Sequence, residues 1–435
     1  MVNDRDSKIK EVENILRNRL PQDGPGVAVL VMVGDDTVLL EGYGNARIGQ
    51  PNRKITKDSV FDLASLSKQF TALGILMLID GTTISGPRGG RYKSLDFGTK
   101  LSRYFKDVPR AKDISIRNLL NHSSGIADYF SLWKESRDLS DQYYDDEIIA
   151  PGNWFAEMKG YEKVEKKDDY ITNEGVLRLI AKKNIIESEP REGFSYSNTG
   201  YVLLAEIIRR HTCKRLRDFL REEIFEPLEM SDTFVYDETV PGFTDHALCY
   251  LIRENDGNAT YESIEGDTHF SYIHGDGNIH STIADLAKWQ KAWNQIDDIT
   301  IRDGGRRLIN RSTFLKIYKP GLFRKQYWVG SRKYKYSSGM SIYRYKNRNV
   351  NSYAIHHGGN WLGFNSYLMR GHVYKYRKDI LHELTVVVLS NFFCEAWNQT
   401  DPFKDDRFPY KIGKDISTVF WPWKGKDRYN ILQYI

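Results

Sequence analysis

Ser65 and Lys68 stand three residues apart in "FDLASLSKQFTALGILMLI" (61–79), a stretch that is otherwise mostly apolar. On a helix, positions i and i+3 share a face and touch. A lysine there either snorkels over its neighbours to reach water, or it helps strip the proton from a nucleophilic serine. The same spacing recurs at Ser7/Lys10 and Ser131/Lys134, so spacing alone does not choose. Tyr196 and Asn198, in "YSN", form a second candidate pair just before a helical stretch. The phenolate of Tyr196 could act as a general base if nearby cations lower its pKa from about 10. The Asn198 amide could hold the lysine or a substrate carbonyl. The plainer reading is that Ser195 or Ser197 caps the helix while Tyr196 packs. A Tyr-x-Asn also occurs at Tyr345/Asn347, with no helix following. The third candidate is His357-Gly358-Gly359 within "HHGGNWLGFNS" (356–366). Glycines at a strand end let the backbone approach a ligand, and such a strand can offer an amide to a developing oxyanion. A bulge or turn with a surface histidine would give the same letters.

These segments need elements to hold them. Residues 64–79 read as a helix that is apolar on most sides and therefore buried. Ile9, Val12, Ile15, Leu16 and Leu20 form a helical stripe over 7–20. Val27–Val33 and Thr37–Tyr43 read as strands joined by a tight turn at Gly34-Asp35-Asp36. "SIRNLLN" (115–121) predicts a short helix ending at "HSSGI", where His122 reads as structural. Further helices are predicted over 198–210, 215–228, 281–293 and 410–420. The Gly-rich 81–94 reads as a loop or hairpin. After 325, short alternating runs such as "KYSSGMSIYRY" and "ELTVVVLSNF" predict antiparallel strands. Residues 126–175 are polar, aromatic and irregular (Tyr129, Trp133, Tyr143, Tyr144, Trp154), and read as a cover that sets specificity. The expected fold class is α+β: one antiparallel sheet built from both chain ends, flanked by helices, with an inserted mainly helical lobe. As a single domain over 1–435, it would place 1–80 and 325–435 in an α/β lobe and 81–324 in the helical lobe.

Composition narrows the function classes. With 40% hydrophobic and 28% charged residues the chain reads as an ordinary soluble globular protein. A net charge of +5, from 63 basic against 58 acidic residues, is too faint to argue for nucleic acid. No run reaches the roughly 18 apolar residues of a spanning helix, so no membrane partner is expected. The charged N-terminus "MVNDRDSKIKEVENILRNRL" has no apolar core of the signal-peptide kind; the cytoplasm is the expected location, a trimmed export signal the alternative. Cys213, Cys249 and Cys394 are odd in number and far apart, and imply no disulfide framework. His274, Asp276 and His280 lack tight ligand spacing, so no metal is expected, and no cofactor either. There is no Gly-x-Ser-x-Gly elbow. The sequence says nothing of oligomeric state.

Taken together, "SLSK", "YSN" and "HGG…GF" resemble, in order and spacing, the serine β-lactamase-like hydrolases: class C β-lactamases, D,D-peptidases, D-aminopeptidases and related esterases. The flanks "LASLSKQFTALGILML", "ISIRNLLNHSSGIADY", "EGFSYSNTGYVLLAEII", "EPLEMSDT" and "GNIHSTIADLAKWQKAW" look like that family too, from about residue 25 to 395. The resemblance implies a β-lactamase/transpeptidase-like fold and selects Ser65 over Ser7 and Ser131 as nucleophile. It implies that Tyr196 takes the Ser65 proton directly or shares it with Lys68, leaving open which of the two is the general base, that Asn198 orients Lys68 and the substrate amide, and that the amides of Ser65 and Asn360 form the oxyanion hole. His357 stands where class C β-lactamases carry the lysine of Lys-Thr-Gly; the frame starting at His356 would put the next Gly-Phe one residue too far. A histidine, mostly neutral at pH 7, suits a substrate carboxylate less well. The expectation is therefore an acyl-enzyme hydrolase of amides, peptides or esters, with a small-molecule or peptide substrate, rather than a β-lactamase. The alternative is an acyl-binding or sensor protein that does not turn over.

Overall fold

The computed structural model describes residues 2–49, 51–81, 92–131, 172–182, 190, 193–237, 246–255, 258–264, 272–297, 308–310, 312–313, 316, 327–329, 332–346, 350–375, 380–394 and 410–420. Its strands are β1 (Val27–Val33), β2 (Asp36–Tyr43), β3 (Asn45–Arg47), β4 (Arg53–Lys54), β5 (Phe61–Asp62), β6 (Phe234–Val235), β7 (Cys249–Asn255), β8 (Asn258–Ile264), β9 (Ile279–Ser281), β10 (Tyr327–Val329), β11 (Arg332–Ser337), β12 (Met340–Lys346), β13 (Val350–Trp361), β14 (Phe364–Lys375), β15 (Ile380–Ser390) and β16 (Phe392–Cys394). Its helices are α1 (Val2–Arg17), α2 (Lys68–Asp80), α3 (Ile116–Leu120), α4 (Asn173–Lys182), α5 (Asn198–Thr212), α6 (Leu216–Leu220), α7 (Ile283–Asp297) and α8 (Tyr410–Phe420).

The main sheet has eight strands in the order β10-β11-β12-β13-β14-β15-β1-β2. Its pairings are antiparallel, and β1 lies against β15 with Val27 opposite Ser390 and Val33 opposite Leu384. The two chain ends thus meet in one sheet. Gly34, at φ +59°, makes the left-handed turn that joins β1 to β2. β1 is apolar throughout because both of its faces are covered. Ala28, Leu30 and Met32 join the core shared with the helices, which includes Leu73, Leu76, Leu203, Ile207 and Trp289. Val27, Val29 and Val31 join a second core with Val12 and Leu16 of α1 and Ile412 and Ile416 of α8.

The apolar stretch 61–79 is not one uniform helix. Ala64–Ser67 is a 3-10 turn, and the α-helix begins at Lys68. The stretch expected as one helix over 215–228 is α6 followed by a π turn (Arg221–Phe225) and a 3-10 turn (Glu226–Leu228). The hairpin of β7 and β8 was not foreseen, and β16 leaves the main sheet to pair in parallel with β7. Most of the Gly-rich 81–94 stretch, Trp133, Tyr143, Tyr144 and Trp154 of the expected cover, and Lys134 and Asn347 of the repeated motifs lie outside the described residues.

Candidate active site

From Ser59 to Leu78 every residue is buried except Ser65, which is half-buried. The local backbone explains this. β5 ends at Asp62, and Ala64 takes a left-handed φ of +48°, which turns the chain so that Ser65 comes outward. The turn is tied down on several sides. Leu63 N–H donates to the Ile279 carbonyl (2.9 Å), Ile279 N–H donates to Ser67 Oγ (3.1 Å), and Ser366 Oγ–H donates to the Leu63 carbonyl (2.9 Å).

Lys68, the first residue of α2, is fully buried. Its Nζ lies 2.8 Å from Ser65 Oγ and 2.7 Å from the Asp276 carbonyl oxygen. Burial lowers its pKa to about 8, against the opposing pull of the Asp276 and Asp128 carboxylates. Asp276 sits in a loop wedged between helices. Thr71 Oγ1–H donates to the Gly275 carbonyl (2.8 Å). A β-carbon on Gly275, at φ +116°, would fall 2.4 Å from the Tyr201 carbonyl oxygen, so only glycine fits there. The Asp276 carboxylate accepts the Tyr129 hydroxyl at 3.0 Å, and burial raises its pKa to about 6.

The Tyr196 hydroxyl lies 3.1 Å from Ser65 Oγ, opposite Lys68. The ring is 37% exposed and rests on His122, with centroids 4.2 Å apart. Desolvation of the hydroxyl raises its pKa, with the Asp276 and Asp128 charges adding and the Ser65 hydrogen bond opposing. The exposed ring edge limits that rise, but its direction leaves a neutral phenol. His122 was read as structural, yet it forms the floor beneath Tyr196. Its Nδ1 accepts the Ser197 N–H at 3.1 Å, so the proton sits on Nε2, which is buried with no hydrogen-bond partner among the described residues.

Asn198 opens α5, and its backbone N–H donates to Asp128 Oδ2 (2.7 Å). Its side chain also hydrogen-bonds Asp128. The amide expected on Lys68 thus goes to a carboxylate that acts on Lys68 through its charge, while the amine is held by Ser65 and Asp276.

The β13 strand supplies the opposite wall. β12 pairs with it only as far as His356, so Gly358–Trp361 are paired on one side, to β14. The open edge meets the nucleophile turn. A β-carbon on Gly359 would fall 2.4 Å from the Leu63 carbonyl oxygen and 3.0 Å from Ala64 Cβ. The register also sends the two histidines to opposite faces. His357 lies on the helix-facing side, 6.4 Å from the Tyr196 ring, whereas His356 faces Tyr410. His357 is buried, and desolvation followed by the Lys68 charge lowers its pKa to about 3. Its Nδ1–H donates to the Gly358 carbonyl (2.5 Å) and its Nε2 accepts the Tyr336 hydroxyl (2.9 Å). Asn360 follows, exposed, on the open edge.

Ser65, Lys68, Tyr196, His357 and Gly359 are thus brought together at the nucleophile turn, Asn198 joins them through Asp128, and Gly358 and Asn360 flank Gly359 on the same strand. Asp128 and Tyr336 came unannounced, since no spacing in the sequence ties them to Ser65, while Tyr129, expected in a cover over the site, instead bonds the Asp276 carboxylate from within. His274, Asp276 and His280 diverge. His274 Nε2 bonds the Tyr236 carbonyl, Asp276 faces Lys68, and His280 faces His246 and Asp62. Among the described residues, no group of three or more metal-ligating side chains is assembled, and no helix is long and apolar enough to cross a membrane. Ser7 and Lys10 are both exposed on α1, away from any such constellation.

Known proteins agree with this architecture. Penicillin-binding protein 4* of Bacillus subtilis (strain 168) is 28% identical over 373 residues, covering 83% of this chain and 67% of its own. The D-aminopeptidase of Brucella ovis is 26% identical over 300 residues, 68% of this chain; the matched part is 48% of that protein, so the chain spans about half its length. The structure of the D-amino acid amidase from Ochrobactrum anthropi SV3 complexed with D-phenylalanine superposes with a TM-score of 0.65 at 21% identity, covering 95% of this chain and 98% of that one. The sequence profile described as Beta-lactamase matches residues 12–402. With the Ser-x-x-Lys, Tyr-x-Asn and His-Gly-Gly segments converging on one serine, the chain belongs to the beta-lactamase family of serine hydrolases.

Proposed function

We propose that the protein cleaves an amide, peptide or ester bond through an acyl-enzyme on Ser65, and that its substrates are of the D-amino-acid peptide, amide or ester type rather than β-lactams. The observation that carries this reading is Ser65 Oγ held at 2.8 Å from a buried lysine amine and 3.1 Å from a phenol. With a pKa of about 8, about one Lys68 amine in ten is neutral at pH 7, enough to accept a proton. Tyr196, a neutral phenol, is the acid of the pair. In acylation the Ser65 proton passes to Lys68 Nζ and Oγ bonds to the carbonyl carbon. The oxyanion forms against the amides of Ser65 and Asn360. As the bond to the leaving group breaks, Tyr196 gives that group its proton and regains one from the Lys68 ammonium. Water then attacks the ester on Ser65 and loses its proton to Lys68, and Ser65 recovers a proton as the acid leaves.

His357 favours the non-β-lactam substrates. It is neutral, and both ring nitrogens are engaged within the protein, so it offers no fixed cation to a substrate carboxylate. The D-aminopeptidase and D-amino acid amidase relatives point the same way. The test is a substrate panel of p-nitrophenyl esters, D-amino-acid amides, D-Ala-D-Ala peptides and a chromogenic cephalosporin. Sustained turnover of esters or D-amino-acid amides, absent in Ser65→Ala, is expected. Preferential cephalosporin hydrolysis would overturn the substrate assignment. A single stoichiometric acylation without turnover would select the sensor alternative.

A further inference from the structure

Ala64, immediately before the nucleophile, stands at φ +48°. Residues with a β-carbon disfavour that region, so something must hold the turn there. Its backbone N–H donates to Asp62 Oδ1 at 2.7 Å, a side-chain cap that reaches two residues forward. Asp62 is itself placed firmly. It is buried on β5, opposite His280 of β9 in the strand register. Its Oδ2 lies 3.8 Å from His280 Nε2, and His280 Nδ1 lies 2.6 Å from His246 Nε2. When Nε2–H of His280 faces the carboxylate, Nδ1 must accept, so His246 donates and the chain of rings is ordered toward Asp62. The flanks of the turn are tied by β9 and by Ser366, while the Ala64 amide within it is held by this one side chain.

We propose that Asp62 is a positioning residue for acylation: by capping the Ala64 amide it holds the left-handed turn that aims Ser65 Oγ at Lys68 and Tyr196. This rests on the reading of Ser65 as nucleophile. Asp62 does not touch the reacting atoms, and what it contributes is an acceptor at a fixed reach, not its charge. Asp62→Asn keeps that acceptor and drops the charge. Asp62→Glu keeps the charge but lengthens the arm, so the cap cannot close with the same geometry. Asp62→Ala removes both.

The experiment measures kcat and KM for an activated p-nitrophenyl ester, with fluorophosphonate labelling at Ser65 and thermal melting for each variant. Misplacement of a reacting group by about 1 Å costs on the order of 100-fold in rate. Asp62→Ala and Asp62→Glu should therefore lose about 100-fold in kcat with KM within two-fold, and Asp62→Asn about three-fold or less. Asp62→Asn as slow as Asp62→Ala would overturn the proposal, because charge would then be the working property. So would wild-type rates in Asp62→Glu, or a loss confined to KM. If Asp62→Ala does not fold, the contrast of Asn with Glu still decides. Wild-type protein that turns over the ester but takes label elsewhere than Ser65 overturns the nucleophile reading itself, an outcome no Asp62 variant can mimic.

Discussion

Lys68 can act as a base because the fold removes water from its amine and returns only part of the lost stabilisation through Asp276 and Asp128. The sign of the resulting pH dependence follows directly. In the proposed mechanism the neutral amine is the working form, and its pKa is about 8, so acylation should rise about tenfold per pH unit up to there and level off above it. Pre-steady-state acylation between pH 5.5 and 9.5 measures this; a flat profile would remove Lys68 from the proton transfer. Lys68→Ala should cost about 10²–10⁴ in acylation at pH 8. Tyr196→Phe is a different kind of change. It deletes one hydroxyl and leaves the ring on His122, so turnover should fall by at least about tenfold while the melting temperature stays within about 2 °C. A melting temperature lowered far beyond that would make Tyr196 a structural hydrogen-bonding residue. At this scale the sequence was partly legible. Ser65, Lys68 and Tyr196 sit in short motifs, and these residue types at these spacings suggest their chemistry. Asp276 and Asp128 do not, because Asp276 reaches Lys68 across 208 positions through a backbone carbonyl, which any residue possesses.

At the scale of elements, β13 runs past the end of β12 and lays its unpaired edge beside the nucleophile turn. Adjacent glycines on that edge have unequal tasks. A β-carbon at Gly358 would meet only the Ser366 carbonyl oxygen, at 3.4 Å. At Gly359 it would meet the Leu63 carbonyl oxygen and Ser366 Oγ, both at 2.4 Å, and one of these is backbone that cannot swing away. Gly359→Ala must push β13 and the turn apart. It should cost about 1–3 kcal/mol of stability, as overpacking does, and about 100-fold in acylation, since the amides of Ser65 and Asn360 proposed to form the oxyanion hole would move apart. Gly358→Ala should stay within about threefold of wild type in rate. Denaturant melts and burst kinetics on the two variants provide the check, and equal effects at both positions would contradict the close approach. The His-Gly-Gly letters announced a backbone approach but not which glycine makes it. That follows from strand register, because alternate residues face opposite sides of the sheet.

At the scale of the whole molecule, the sheet has a core on each face, and Leu63 and Leu66, which flank the serine, belong to the helix-facing one. The union of both chain ends in one sheet was legible, since apolar alternating runs cluster at the two ends and helical stripes lie between. The β7–β8 hairpin and the parallel partner of β7 were not, because β16 is only three residues long and β7 and β8, though seven residues each, carry polar residues and lack the continuous apolar pattern of β1. The proposed mechanism picks one of the three Ser-x-x-Lys copies, and a fluorophosphonate probe can ask the question of all three at once. Ser7 is exposed on α1, and its Lys10 is exposed too, so that amine keeps its water and its proton. Ser131 is exposed at the end of the described 126–131 segment. Lys134 lies outside the described residues, whereas Ser65 has an amine dried by burial at 2.8 Å and a phenol at 3.1 Å. Peptide mapping by mass spectrometry should find one adduct per chain, on the peptide containing Ser65. Labelling should speed up as pH rises toward 8, because the neutral Lys68 takes the proton, and slow in Tyr196→Phe. An adduct on Ser7 or Ser131 at comparable stoichiometry would mean that neither burial of the lysine nor the Tyr196 contact selects the nucleophile.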